Sequence, residues 1–200
     1  MKGIRYAAIA ATAVAALGLA GVSSARNSPV PGKPGDANIV QIASAVNSST
    51  GEFSYLLAAA TCEYFDGAIL ALLTGEGKLT LFAPTDDAFI ALQTALIDAF
   101  NLGAVPAPEL TCAIDSLLGD GTLFNVLAYH VTEGRRFSNS VFNRNNTKLV
   151  EMLNGQYVVT NPDLTINDIA GQSVGVEPSL VNVNASNGVI HVIDSVLLPF

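Results

Sequence analysis

The sequence predicts an α+β fold, with helices and strands segregated along the chain. Segments with apolar residues at i, i+3, i+4 and i+7 crowd residues 39–130, which is helical spacing. Short alternating segments bounded by Asn, Gly and Pro fill residues 149–198, which is strand spacing. One strand pattern, Leu79 to Ala83, stands alone among the helices.

The chain opens with Lys2 and Arg5, then an apolar run from Tyr6 to Leu19, then Ser23-Ser24-Ala25. This is the layout of a secretory signal peptide, so residues 1–25 are expected to be removed. The apolar run is short for a membrane span, and no Cys follows it for lipid attachment. Residues 26–37 hold Pro29, Pro31, Gly32, Pro34 and Gly35 and read as a flexible linker. Residues 38–200 remain as a single domain, large enough for a sizeable core.

The first helix is capped by Asp36 or Asn38 and carries Ile39, Ile42, Ala43 and Val46. A second carries Phe53, Leu56, Leu57 and Ala60; a third carries Ile69, Leu70, Leu72 and Leu73 and closes at Gly75. After strand 79–83, Pro84 stops the ladder because it has no N–H. Thr85 is a good N-cap, and Asp86 and Asp87 suit the positive end of a helix dipole. That fourth helix presents Phe89, Leu92, Leu96, Ile97 and Phe100. Gly103, Pro106 and Pro108 mark a loop, after which Ile114, Leu117 and Leu118 resume a helix. Thr122 caps the next helix, whose apolar face is Leu123, Val126, Leu127 and His130. Asn154-Gly155 between two alternating runs signals a hairpin. Short strands are expected at 164–166, 174–176 and 180–183, and Asn187-Gly188 turns the chain into the last one. That strand is apolar on both alternating sets, so it belongs at the centre of the sheet.

Without Lys2 and Arg5 the chain holds seven basic against 17 acidic residues, a net charge of −10. Such a balance disfavours nucleic acid and anionic membranes as partners. Cys62 and Cys112 are the two cysteines, and in an exported protein an isolated pair reads as a disulfide rather than two buried thiols.

Little points to catalysis. There is no Gly-x-Ser-x-Gly and no His-Glu-x-x-His, and neither Cys has an electropositive setting in the sequence. Two His residues do not make a metal site, and Asp163 to Asp168 lacks the Gly and terminal Glu of a calcium loop. No glycine-rich loop cradles a phosphate. The chain is therefore expected to be no enzyme and to hold no metal or cofactor. Asn47, Asn145 and Asn184 each begin an N-glycosylation acceptor tripeptide.

Three stretches carry a family likeness: Thr80-Leu-Phe-Ala-Pro-Thr-Asp-Asp-Ala-Phe89, Leu127-Ala-Tyr-His-Val131 followed by Gly134, and Asn187-Gly-Val-Ile-His-Val-Ile-Asp194. In this order and separation they resemble the signatures of the fasciclin-like domain, over about residues 38–199. The residues concerned include Pro84, Thr85, Asp86, Phe89, His191 and Asp194. The resemblance implies a β-sheet wedge packed with helices, in a secreted or cell-surface protein with roles in adhesion and matrix contact. It also implies that the Tyr129-His130 segment is a candidate for cell-surface recognition. The apolar stripe around His130 argues instead for a buried imidazole that locks helix to sheet, and the same holds for His191 in its apolar strand. The segment 97–116 is longer than is usual in the family, and no Arg-Gly-Asp is present.

Two functions follow as expectations. The first is a secreted, non-enzymatic adhesion or extracellular-matrix module whose partner is an extracellular protein or glycan. The second is a soluble carrier of an apolar ligand such as a carotenoid or lipid, since the resemblance extends to fasciclin-like proteins of photosynthetic organisms that bind carotenoids.

Overall fold

The structure is a computed structural model that describes residues 36–62, 67–101, 103, 106–119 and 121–200. The expected signal peptide and most of the expected linker lie outside the described residues.

Three helices lead the chain: α1 (Ile39–Thr50), α2 (Ser54–Ala60) and α3 (Ala68–Thr74). Strand β1 (Leu79–Pro84) runs into α4 (Asp86–Phe100), and α5 (Leu110–Leu118) and α6 (Thr122–Ala128) follow. Then come β2 (Val131–Glu133), the single-turn α7 (Ser138–Val141), and β3 (Lys148–Glu151) to β6, with β4 at Tyr157–Thr160, β5 at Thr165–Asn167 and β6 at Ser173–Gly175. Strands β7 (Val183–Ala185) and β8 (Gly188–Ile193) close the chain.

The strands form two four-stranded sheets, ordered β2-β1-β8-β7 and β3-β4-β5-β6. In the first, β1 and β8 are parallel and central, as the double apolar pattern of β8 requires. One face of this sheet, with Leu79, Leu81, Ile190 and Val192, joins the helices in one core. The other face, with Phe82 and Ile193, meets Val150, Val158, Ile166 and Val174 of the second sheet in another. The sheets touch at two corners. Leu153 N–H donates to the Val131 carbonyl at 2.8 Å, and Asp194 N–H donates to the Gly175 carbonyl at 3.0 Å. Helices, one sheet and a second sheet splayed from it make the wedge that the family resemblance implies.

Several elements depart from expectation. The β1 ladder runs through Pro84, which pairs with Ile193; the missing proline donor is replaced by Thr85 N–H, 3.1 Å from the Ile193 carbonyl. Phe100 is 49% exposed rather than buried, because the last turn of α4 runs past the core before Asn101 ends it in a left-handed conformation. Thr122 is the first residue of α6, not its cap. Capping comes instead from the buried Asp115 carboxylate, which accepts Gly121 N–H at 3.1 Å and Leu123 N–H at 2.7 Å. The strand expected at 180–183 starts at Val183, and β2 and α7 are too short to show a period. Of the two cap candidates for α1, Asn38 is used, in a capping box with Gln41. Asn154-Gly155 does turn the β3–β4 hairpin, with Gly155 at φ 81°. Gly188, however, is needed for close approach: a Cβ there would lie 2.5 Å from the Leu79 carbonyl oxygen and 2.7 Å from Ile39 Cδ1.

Candidate functional site

The three signature stretches converge on one sheet. They supply β1 with the start of α4, the end of α6 with β2, and β8, which are adjacent strands. Thr85 accepts Ala88 N–H at 3.2 Å and caps α4 as expected. Asp86 does more: its carboxylate accepts the backbone N–H groups of Ser54 and Tyr55, each at 3.2 Å, and so caps α2. Glu52 returns the favour by accepting Asp86 N–H at 3.2 Å. Phe89 is buried and stacks on Tyr55, ring centroids 6.0 Å apart.

Tyr129 and His130 are both buried. Leu197 N–H must donate to His130 Nε2 (2.9 Å), so Nδ1 carries the proton and donates to the Val126 carbonyl at 2.6 Å. Burial pushes the His130 pKa down to about 4, against the opposing pull of the Val126 carbonyl and Asp168. The imidazole is therefore neutral near pH 7. Tyr129 donates its hydroxyl to the Tyr157 carbonyl at 2.9 Å and accepts Ile169 N–H at 3.1 Å. Burial raises its pKa. His191 has the opposite tautomer: Nδ1 accepts Asn182 N–H at 3.3 Å and Nε2 donates to the Arg136 carbonyl at 2.8 Å. Its pKa is lowered by burial, and its ring packs against Phe82 and Phe142. Asp194 accepts Gly175 N–H at 2.9 Å and pins β6 to the end of β8. Each of these side chains is committed to joining elements of the scaffold, and both His residues are buried.

Cys62 and Cys112 form a disulfide with Cα atoms 5.7 Å apart, tying the end of α2 to α5. Of the acceptor asparagines, Asn145 is exposed, whereas Asn47 donates to the carbonyls of Gly51 and Glu52 at the end of α1. Asn184 lies in β7 with its carbonyl oxygen buried and without a hydrogen-bond partner.

Among the described residues, two features stand apart from these scaffold contacts. The first is an apolar cleft of about 110 Å³ between α4, α5, α6 and the C-terminal segment. Leu92, Leu96, Leu118, Val126, Val196 and Leu198 contribute to its lining. Gln93 and Thr111 also border it, but they are turned on each other (3.0 Å) and on Ala107 N–H (2.9 Å). The second is the outer face of the β3–β6 sheet, where Leu149 is 71% exposed and Tyr157 51%. Ile169, 58% exposed, is held beside Tyr157 by the Tyr129 hydroxyl that bridges their backbones. Neither feature was visible in the sequence. The cleft depends on how three helices meet, and the sheet face on the pairing register. Among the described residues no group of three or more His, Cys, Asp or Glu is placed to hold a metal ion, and no helix is long and apolar enough to cross a membrane.

The family model for the fasciclin domain matches residues 63–199. The chain belongs to the fasciclin domain family. Two relatives of this fasciclin domain come from the cyanobacterium Synechocystis sp. Protein sll1483 is 30% identical over 134 residues, 66% of this chain and 61% of that protein. Protein sll1735 is 30% identical over 161 residues, 80% of this chain and 97% of that protein. A FAS1 domain pair from the insect cell adhesion molecule Fasciclin I aligns over 70% of this chain and 45% of that one, at 18% identity and a TM-score of 0.42. The chain thus spans about three-fifths of sll1483 and nearly all of sll1735. The matched segment starts after α2, yet α1 and α2 belong to the same core as β1 and β8.

Proposed function

We propose that this fasciclin domain is a secreted, non-enzymatic contact module that serves adhesion to cells or the extracellular matrix. The observation that carries the reading is the division of labour among its residues. The signature side chains are spent on buried hydrogen bonds, while Leu149 and Tyr157 stand exposed on an open sheet face and Ile169 is exposed in the turn between β5 and β6. Large apolar and aromatic groups of this kind are what a partner surface buries. The disulfide suits an oxidising, extracellular compartment, and the acidic charge balance keeps the chain off nucleic acid and anionic lipid. One small face gives a weak contact, so firm adhesion comes from several copies or a multivalent partner, a protein or a glycan.

The test is retention of the chain on cells, immobilised glycans and matrix polymers, with a Leu149→Glu/Tyr157→Ser double variant alongside. Binding is expected for the parent and should fall at least tenfold in the variant with unfolding unchanged. A parent that binds none of these surfaces, or a variant that binds as well, refutes the reading.

The apolar cleft favours a second reading, a soluble carrier of an apolar ligand. An absorption spectrum and solvent extract of the chain taken from its own secreted fraction tests it. A stoichiometric chromophore or lipid supports a carrier, and an empty extract refutes one.

A further inference from the structure

The C-terminal segment behaves as a strap with two faces. Val196, Leu198 and Phe200 line the cleft, while Leu197 between them is buried in the core shared by the two sheets. The strap is fixed by three polar anchors. Leu197 N–H donates to His130 Nε2 at 2.9 Å, Leu198 N–H to Asp168 Oδ2 at 3.0 Å, and Gln156 Nε2 donates to the Pro199 carbonyl at 3.0 Å. The anchors sit in three different connections, between α6 and β2, β5 and β6, and β3 and β4, so the wall is held as far as Pro199. Beyond it Phe200 is 61% exposed, with its ring bordering the cleft.

The opposite walls are also pinned. Cys112 ties α5 to α2, the Gln93–Thr111 bond ties α4 to α5, and Asp115 caps α6. The cleft is thus preformed, and preorganisation lowers the cost of binding. Among the described residues that line the cleft, the polar side chains are turned on the scaffold: Gln93 donates to the Thr111 hydroxyl and accepts Ala107 N–H, and Thr122 donates to the Leu118 carbonyl at 3.4 Å. A ligand carrying a buried hydroxyl or carboxylate would leave that group unpaired there. Size narrows the choice further. An apolar cavity of about 150 Å³ stays dry and takes up benzene. The present 110 Å³ accommodates about one ring or a short chain end.

We propose that this cleft is a binding site for a single hydrocarbon end group, one ring or a short alkyl terminus, with the strap as its wall and Phe200 at its mouth. The inference deepens the carrier reading and rests on it for the source of the ligand. A longer lipid would leave the rest of its length outside, past Phe200.

Toluene is the probe. Titrated into the purified chain, it should give saturable NMR shifts confined to methyl groups such as those of Leu92, Val126 and Val196. A Val126→Phe variant, which fills the cleft, should abolish them. Leu96→Phe serves the same purpose from another wall should Val126→Phe fail to fold. Phe200→Ala should retain binding with faster exchange, since it opens the mouth alone. Absence of saturable binding up to the solubility of toluene overturns the site, as does undiminished binding in a folded filled variant. Toluene binding by a chain whose secreted form yields an empty extract supports the site while refuting the carrier reading. An extractable lipid with no toluene binding overturns the site and moves the carrier surface elsewhere.

Discussion

Replacing Asn187 should loosen the first helix from the rest of the domain. This side chain is buried, and its amide makes three long-range bonds. It accepts Ile39 N–H at 3.0 Å and donates to the carbonyls of Leu73 (2.7 Å) and Gly75 (3.0 Å). One residue at the head of β8 therefore joins the start of α1 to the end of α3. In Asn187→Ala, three backbone groups lose their partner. A buried group left unpaired costs about 1–3 kcal/mol, and the Gly75 carbonyl is close enough to solvent to recover part of that. The expected loss is about 3–5 kcal/mol, a large share of the roughly 5–15 kcal/mol that holds a domain together. Urea unfolding followed by circular dichroism gives the total, and hydrogen exchange at Ile39 shows whether α1 is released first. Asn187→Asp sharpens the test. Its carboxylate still accepts from Ile39 but sets negative charge against two carbonyl oxygens, so it should be less stable than the alanine variant near pH 7. A loss below about 1 kcal/mol, or an aspartate variant more stable than the alanine one, refutes the reasoning. The outcome also bears on the domain boundary, because α1 lies outside the segment matched to the family.

Three further outcomes are expected. Opening the Cys62–Cys112 bridge, which spans 50 residues, by a double Cys→Ala change should cost about 4 kcal/mol on the chain-entropy estimate, read as a lower urea midpoint. His130 refuses a proton down to about pH 4 in the fold but accepts one near 6.5 when unfolded. Its stabilising contribution is therefore complete above pH 6.5 and lost as pH falls to 4, a drop of about 3 kcal/mol that His130→Gln should lack in parallel pH titrations of stability. His191, also lowered by burial, adds a slope of the same sign, so the difference between the two proteins is the quantity to compare. Gly188→Ala should cost roughly 1–3 kcal/mol, at the upper end because its new Cβ meets backbone, and thermal unfolding will register the change.

How much of this was legible depended on sequence distance. The central place of β8 could be read because burial on both faces removes the polar half of the strand pattern, leaving Val189 to Ile193 almost wholly apolar. The Thr85 cap could be read because it acts three residues away. Asp86 could be read as a first-turn acid of α4 but not as the cap of α2, whose N–H groups come from 31 and 32 residues upstream. Asp115 was missed for a related reason: Thr122 offered an acceptable local cap, and only the fold brings a buried carboxylate to the same N–H groups. Asn187-Gly188 has local turn chemistry, but in the fold Asn187 bridges helices and Gly188 makes room for Leu79 and Ile39. Strand β2, with three residues, has no period to detect.

The signature stretches and the uncommitted surfaces predict opposite kinds of mutant. His130, Tyr129 and His191 each satisfy backbone groups on elements distant in sequence, so their loss reaches any binding surface only through the stability and positions of strands. Binding by a His130→Ala variant should therefore fall in proportion to its unfolded fraction and recover under stabilising conditions. Tyr157 is half exposed and is hydrogen-bonded through its backbone atoms, so changing its ring should alter contact at constant stability. Comparing the two variants on one surface, with unfolding measured for both, separates recognition from scaffolding. Should His130→Ala abolish binding while its unfolding matches the parent, the Tyr129-His130 segment would itself be the contact, and the assignment of the outer sheet face would fall.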